Sequence, residues 1–75
     1  MKDVYTEEYL REVGLNERQI KAVMYVKERG RITNREYQEI NKVSNKTAYL
    51  DLNDLCTKNI LISEGKGKNI IYRLK

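Results

Sequence analysis

The chain has no histidine and a single cysteine, Cys56. An internal disulfide is therefore impossible. A His/Cys zinc site, a Ser-His-Asp triad and a Cys-His pair are all excluded within this chain. Cys56 falls beside the apolar stripe of its segment, where a free thiol is expected to act as a small buried hydrophobe. One unpaired cysteine fits a reducing, cytoplasmic setting. No apolar run approaches the roughly 20 residues that cross a bilayer. The opening "MKDVYTEEYLREVG" is acidic and polar, unlike a signal peptide. No membrane, metal or cofactor partner is expected. There is no GxxxxGK(S/T) segment, so ATP binding of that kind is not expected. "GKGKN" (residues 65–69) shares glycines and lysines with such a loop, but no helical run follows it.

What is present is a short chain of globular composition. Its 75 residues make one domain at most. A chain of this size buries only about 60% of its unfolded surface, which leaves little room for an enclosed substrate pocket beside the core. Six tyrosines and a good supply of Ile, Leu and Val argue against disorder. The net charge is +4, and it is unevenly spread. Residues 1–15 carry Lys2 and Arg11 against Asp3, Glu7, Glu8 and Glu12. From Ile60 onward Lys66, Lys68, Arg73 and Lys75 face only Glu64. A basic end on a small domain suggests a polyanionic partner, although solubility alone also produces basic surfaces.

Helix punctuation is strong. "LNERQI" places Asn16 as an N-cap, Gln19 at the capping-box position and Leu15 with Ile20 as a hydrophobic staple. Ile20, Val23 and Val26 form the core face, with Met24 nearby, and Gly30 ends the helix. "RIT" is too short for a full strand but can pair at an edge. Thr33 then caps a short helix over 34–40, with Tyr37 and Ile40 facing inward. "NKV" is a tight turn. Ser44 caps a longer helix over 45–58, and Asn59 takes the left-handed position after it. "ILISE" and "IIYRL" flank "GKGKN" as an antiparallel hairpin. Residues 1–14 form an N-terminal extension. "TEEYLREVG" within it can be a helix capped by Thr6 that packs on the domain, joins a partner or belongs to a longer polypeptide. The domain proper is 15–75.

On the longer helix Ala48, Leu52 and Leu55 cluster at 100° per residue. Lys46, Leu50, Asn53 and Thr57 lie roughly opposite. Tyr49 falls at the flank, where partial packing is expected. Asp51, next to the core stripe, is expected to pair inside the fold. An exposed leucine between a lysine and an amide suits either a thymine methyl or an apolar patch on another chain.

Two short helices joined by a tight turn, the second longer and better capped, make a helix-turn-helix pattern. The residues from Leu15 to Leu74 also resemble a family. "LNERQ", "GRITNREY", "VSNKTAYLDLNDLCTKNIL" and "GKGKNIIY" are similar to the winged helix-turn-helix at the C-terminus of RecG-like, ATP-dependent DNA helicase-related transcriptional regulators, and to the DeoR-type winged helix. The resemblance implies an α+β winged helix with a three-helix core and a C-terminal β-hairpin wing at Gly65 to Asn69. It implies non-catalytic binding of double-stranded DNA, with the helix from Asn45 to Lys58 in the major groove. The DNA-contacting set would be Asn34 and Arg35 on the short helix, then Ser44, Asn45, Lys46, Thr47, Tyr49, Leu50 and Asn53 on the longer one. Lys66, Gly67, Lys68 and Asn69 would complete it on the wing. Such domains usually follow a larger N-terminal portion, so a parent polypeptide is implied. Relatives commonly carry a basic residue where this chain has Leu50, and often one at Asn45. That departure keeps open a second reading, a winged helix that serves as a protein-interaction or homodimerisation domain.

Overall fold

Each helix begins where a side chain closes its first turn. The structure is a computed structural model and describes residues 5–67 and 70–75. Helix α1 spans Glu7–Glu12, and Thr6 Oγ1 accepts from the Tyr9 N–H at 3.2 Å. Helix α2 spans Glu17–Arg29 and opens with a full capping box. The Gln19 N–H donates to Asn16 Oδ1 at 2.8 Å, and the Asn16 N–H donates to Gln19 Oε1 at 3.0 Å. Gly30 ends it at φ 90°, a left-handed conformation in which glycine has no Cβ penalty. Thr33 and Glu36 repeat the reciprocal cap at the start of α3, Asn34–Asn41. Ser44 caps α4, Asn45–Thr57, by accepting from the Thr47 N–H at 3.3 Å. These two helices differ from the sequence expectation by one residue at their C-terminal ends, where helices fray.

The turn between α3 and α4 is made by Lys42 at φ 53°, and the exit from α4 by Asn59 at φ 61°. Neither is glycine. Asparagine tolerates the left-handed region better than most residues, and Lys42 is held there by the bond from its N–H to the Gln38 carbonyl.

Strands β1, Leu61–Glu64, and β2, Ile71–Leu74, pair antiparallel, with Leu61 opposite Leu74 and Glu64 opposite Ile71. On the other edge of β2, Ile32 exchanges two 2.8 Å backbone bonds with Tyr72. The "RIT" segment thus pairs as an edge, and it ties the entry of α3 to the hairpin. The architecture is α+β: helices first, then a C-terminal two-stranded hairpin, an arrangement compatible with a winged helix.

The core runs through all of these elements. Ile20, Val23 and Val26 meet Tyr37, Ala48, Leu52 and Leu55, and Ile32, Leu61 and Tyr72 close the hairpin side. Burying a side chain such as Leu52 contributes about 1.5–3 kcal/mol. Leu10 of α1 is fully buried in the same core, so this part of the extension packs on the domain. Residues 1–4 of the extension lie outside the described residues. Ala22 and Gln19 are also buried, Met24 and Ile40 only half so. Cys56, expected to be buried, is half-buried, and burial pushes its thiol pKa up. No helix among the described residues is long and apolar enough to cross a membrane.

Candidate functional site

Helix α4 has two faces, and its inner one is locked by a polar seam. Asp51, 8% exposed, takes the Tyr37 hydroxyl at 2.6 Å and Arg18 Nε at 2.8 Å on Oδ2. Arg18 Nη2 at 3.4 Å and Asn16 Nδ2 at 3.5 Å donate to its Oδ1. Gln19, buried one turn into α2, donates from Nε2 to the Asp51 carbonyl at 3.1 Å and to Asp54 Oδ2 at 2.9 Å. Burial by itself raises the Asp51 pKa. The bonds from Arg18 and Tyr37, with the Arg18 charge and Asn16, outweigh it and hold the carboxyl below its usual range. Tyr37 is pushed far upward, by burial first and then by Asp51, so it stays a protonated donor. The expectation that Asp51 pairs inside the fold is met, and the seam sets the rotation of α4 against α2 and α3.

That rotation turns Lys46, Leu50, Asn53 and Thr57 outward, all exposed. Leu50 is 54% exposed. Tyr49, expected to be partly packed, is instead 55% exposed. It sits one residue too far round the helix to reach the core that Ala48 enters. The hydroxyls of Ser44 and Thr47 bond to each other at 3.2 Å within the α4 cap.

Between α3, α4 and the hairpin lies a cleft of about 510 Å³. Five of the expected residues line it: Asn34, Arg35, Asn45, Tyr49 and Gly67. Thr33, Gln38, Ile70 and Tyr72 complete the lining, and no carboxylate is among them. Arg35 and Lys46 form no ion pair among the described residues, and neither does Lys66 at the tip of the hairpin. Arg73 differs: its Nε meets Glu64 Oε1 at 2.8 Å across the hairpin, so its charge is matched locally. Lys68 and Asn69, the remaining wing residues of the expected set, lie outside the described residues.

Sequence reasoning did not mark Gln38, Ile70 or Tyr72 as site residues. Tyr72 was legible only as a member of the β-rich run "IIYRL", which says nothing of where its hydroxyl ends. No group of His, Cys, Asp or Glu suited to a metal occurs among the described residues. No protein-family model matches the chain, and no curated protein is a significant match to it.

Proposed function

We propose that this chain is a non-catalytic duplex-DNA-binding module of a transcriptional regulator, similar in kind to the RecG-like regulators' C-terminal domain. Helix α4 enters the major groove, which is wide enough for a helix, and the hairpin tip lies along the backbone. The observation that carries this reading is the company of Arg35, Lys46 and Lys66. They are cations without ion-pair partners among the described residues; Arg35 lines a cleft of amides, tyrosines and no acid, and Lys46 and Lys66 are the chain neighbours of its lining residues Asn45 and Gly67. Phosphate contacts position a protein on the duplex and base contacts specify. In this chain Lys46 and Lys66 serve the first role, and Asn45, Leu50 and Asn53 the second.

A titration of duplex DNA at two salt concentrations tests it. The logarithm of the affinity should fall with the logarithm of salt by about 0.9 per contacted phosphate. A salt-independent affinity, or none at low salt, would overturn the reading. One observation favours a second reading, a protein-interaction or homodimerisation surface: Tyr49 and Leu50 are adjacent and both more than half exposed. Replacing Lys46, Lys66 and Lys68 by alanine separates the two. It weakens a DNA interface and leaves an interface centred on Leu50 in place.

A further inference from the structure

The cleft beside α4 is lined by a tyrosine whose hydroxyl has nothing to donate to among the described residues. Tyr72 is only 7% exposed and lines the cleft. Its backbone is fully paired with Ile32, but its hydroxyl has no hydrogen-bond partner among the described residues. No sealed side-chain polar atom in the described fold lacks a partner, so this hydroxyl keeps some access to solvent, and the residue that carries it lines the cleft. Burial first, then the neighbouring Cys56 and Tyr49, raise the Tyr72 pKa and keep the phenol a donor. The exposed Tyr49 hydroxyl is also without a hydrogen-bond partner among the described residues.

Helix α3 opens on the same space. Asn34 and Arg35 are its first two residues, whose N–H groups have no partner within a helix. Gln38 Nε2 donates to Asn34 Oδ1 at 2.5 Å, which leaves the Asn34 amide nitrogen to donate outward. Donors therefore arrive from α3, α4 and β2, and no acid stands among them to accept. Donors from three directions suit a tetrahedral oxyanion, whereas a planar carboxylate is met by a coplanar fork.

We propose that the cleft is a seat for one phosphate group, whose oxygens accept from the Tyr72 and Tyr49 hydroxyls and the Arg35 guanidinium. The proposal rests on the duplex-DNA reading for its source, a backbone phosphodiester beside the groove that α4 enters. A free phosphate monoester offers the same chemistry, and the test distinguishes them. Duplexes carrying a neutral methylphosphonate at one position at a time are titrated against the wild type, Tyr72→Phe and Tyr49→Phe. In parallel, inorganic phosphate is titrated into the wild type and Tyr72→Phe while amide resonances are followed. Thermal melting checks that Tyr72→Phe, which keeps its ring, remains folded. Tyr49→Phe changes a half-exposed position and carries no folding risk of its own.

Losing a hydrogen bond to a charged group should weaken duplex binding by about tenfold in Tyr72→Phe. One methylphosphonate position should cost the wild type a similar factor and cost Tyr72→Phe little more, because the two changes remove one contact. Unaltered DNA affinity in both Phe variants, with methylphosphonate effects that add at every position, would overturn the phosphate seat and leave DNA binding standing. If the wild type binds no duplex but inorganic phosphate shifts the Asn34, Arg35 and Tyr72 amides in it and not in Tyr72→Phe, the seat stands with a free ligand and the DNA reading falls. Binding of neither probe would overturn both.

Discussion

Leu50 and Asp51 are consecutive on α4, yet the charged residue is inside and the apolar one outside. Polarity alone would sort them the other way. Pairing explains the order. Asp51 meets donors from Tyr37, Arg18 and Asn16, and every sealed side-chain polar atom of the described fold has a partner. On the outer face the side chains of Lys46 and Asn53 have none among the described residues, and Leu50 is no part of the core cluster. The inner seam is closed and answers for the fold. The outer face is open, and in our reading it answers for binding. Changes on the two faces should therefore separate cleanly.

The largest effect on stability is expected at the centre of the seam. Asp51→Ala strands the buried Tyr37 hydroxyl and leaves Arg18 without its carboxylate. An orphaned buried donor costs about 1–3 kcal/mol. Arg18 is partly exposed, so water compensates most of its loss. The expected destabilisation is about 2 kcal/mol, read from urea unfolding. Tyr37→Phe removes the donor and leaves Asp51 with Arg18 and Asn16, so it should cost only about 1 kcal/mol. If Tyr37→Phe proved worse than Asp51→Ala, the hydroxyl rather than the carboxylate would be the hub.

The same seam should make the fold acid-sensitive. Asp51 has a folded pKa below its unfolded value of about 3.9, since the donors from Arg18 and Tyr37 outweigh its burial. A depressed carboxylate contributes stability that is fully present above the unfolded pKa and lost as pH falls through the folded one. Asp54, held low by Lys58 and Gln19, and Glu36, held low by Tyr25, act in the same direction. Melting temperature should be flat from neutrality to about pH 5 and fall below about pH 4. Asp51→Asn should flatten that fall. An unchanged acid limb would mean that the seam carries no linked stability.

How much of this was legible beforehand follows from how local the causes are. The caps at Thr6, Asn16, Thr33 and Ser44 each depend on a side chain and an amide three residues on, so the residue string shows them directly. The inner and outer stripes of α4 follow from helical periodicity and were also readable. Asp51 could be expected to pair inside the fold, but not with which partners, because Arg18 and Tyr37 stand 33 and 14 residues away. Tyr49 was misjudged because 100° per residue leaves a flank position undecided until neighbouring helices are placed. The cleft was invisible as a unit. Its walls come from three elements, of which the Ile32–Tyr72 pairing ties the entry of α3 to the hairpin, and its two tyrosine hydroxyls give no signal in a strand or helix pattern.

On the open face, effects should appear in binding and not in melting. Lys46→Ala with Lys66→Ala removes two exposed cations that pair with nothing in the described fold. The slope of log affinity against log salt should become shallower by about two contacts' worth, and stability should move by less than about 0.5 kcal/mol. Arg73→Ala should alter the slope less than either lysine, because Glu64 already balances Arg73. A larger change at Arg73 would mean that this hairpin pair opens when DNA binds.

The smallest expected change in stability is the most informative about the comparison. Leu50 is 54% exposed, and a lone exposed leucine needs no explanation by itself. It stands, however, one turn from Lys46, between that cation and Asn53, on the face that α4 presents outward. Leu50→Arg adds a cation there and asks nothing of the core, so melting should shift by less than about 0.5 kcal/mol. In a DNA interface the new charge should strengthen non-specific duplex binding and steepen its salt dependence by about one phosphate contact. In a protein interface the same charge would sit in an apolar contact and weaken self-association. Sedimentation and thermal melting of this one variant, each with and without duplex DNA, read both outcomes. Unfolding by Leu50→Arg would break the comparison itself, since it would show that the outer face of α4 is not independent of the seam one residue away.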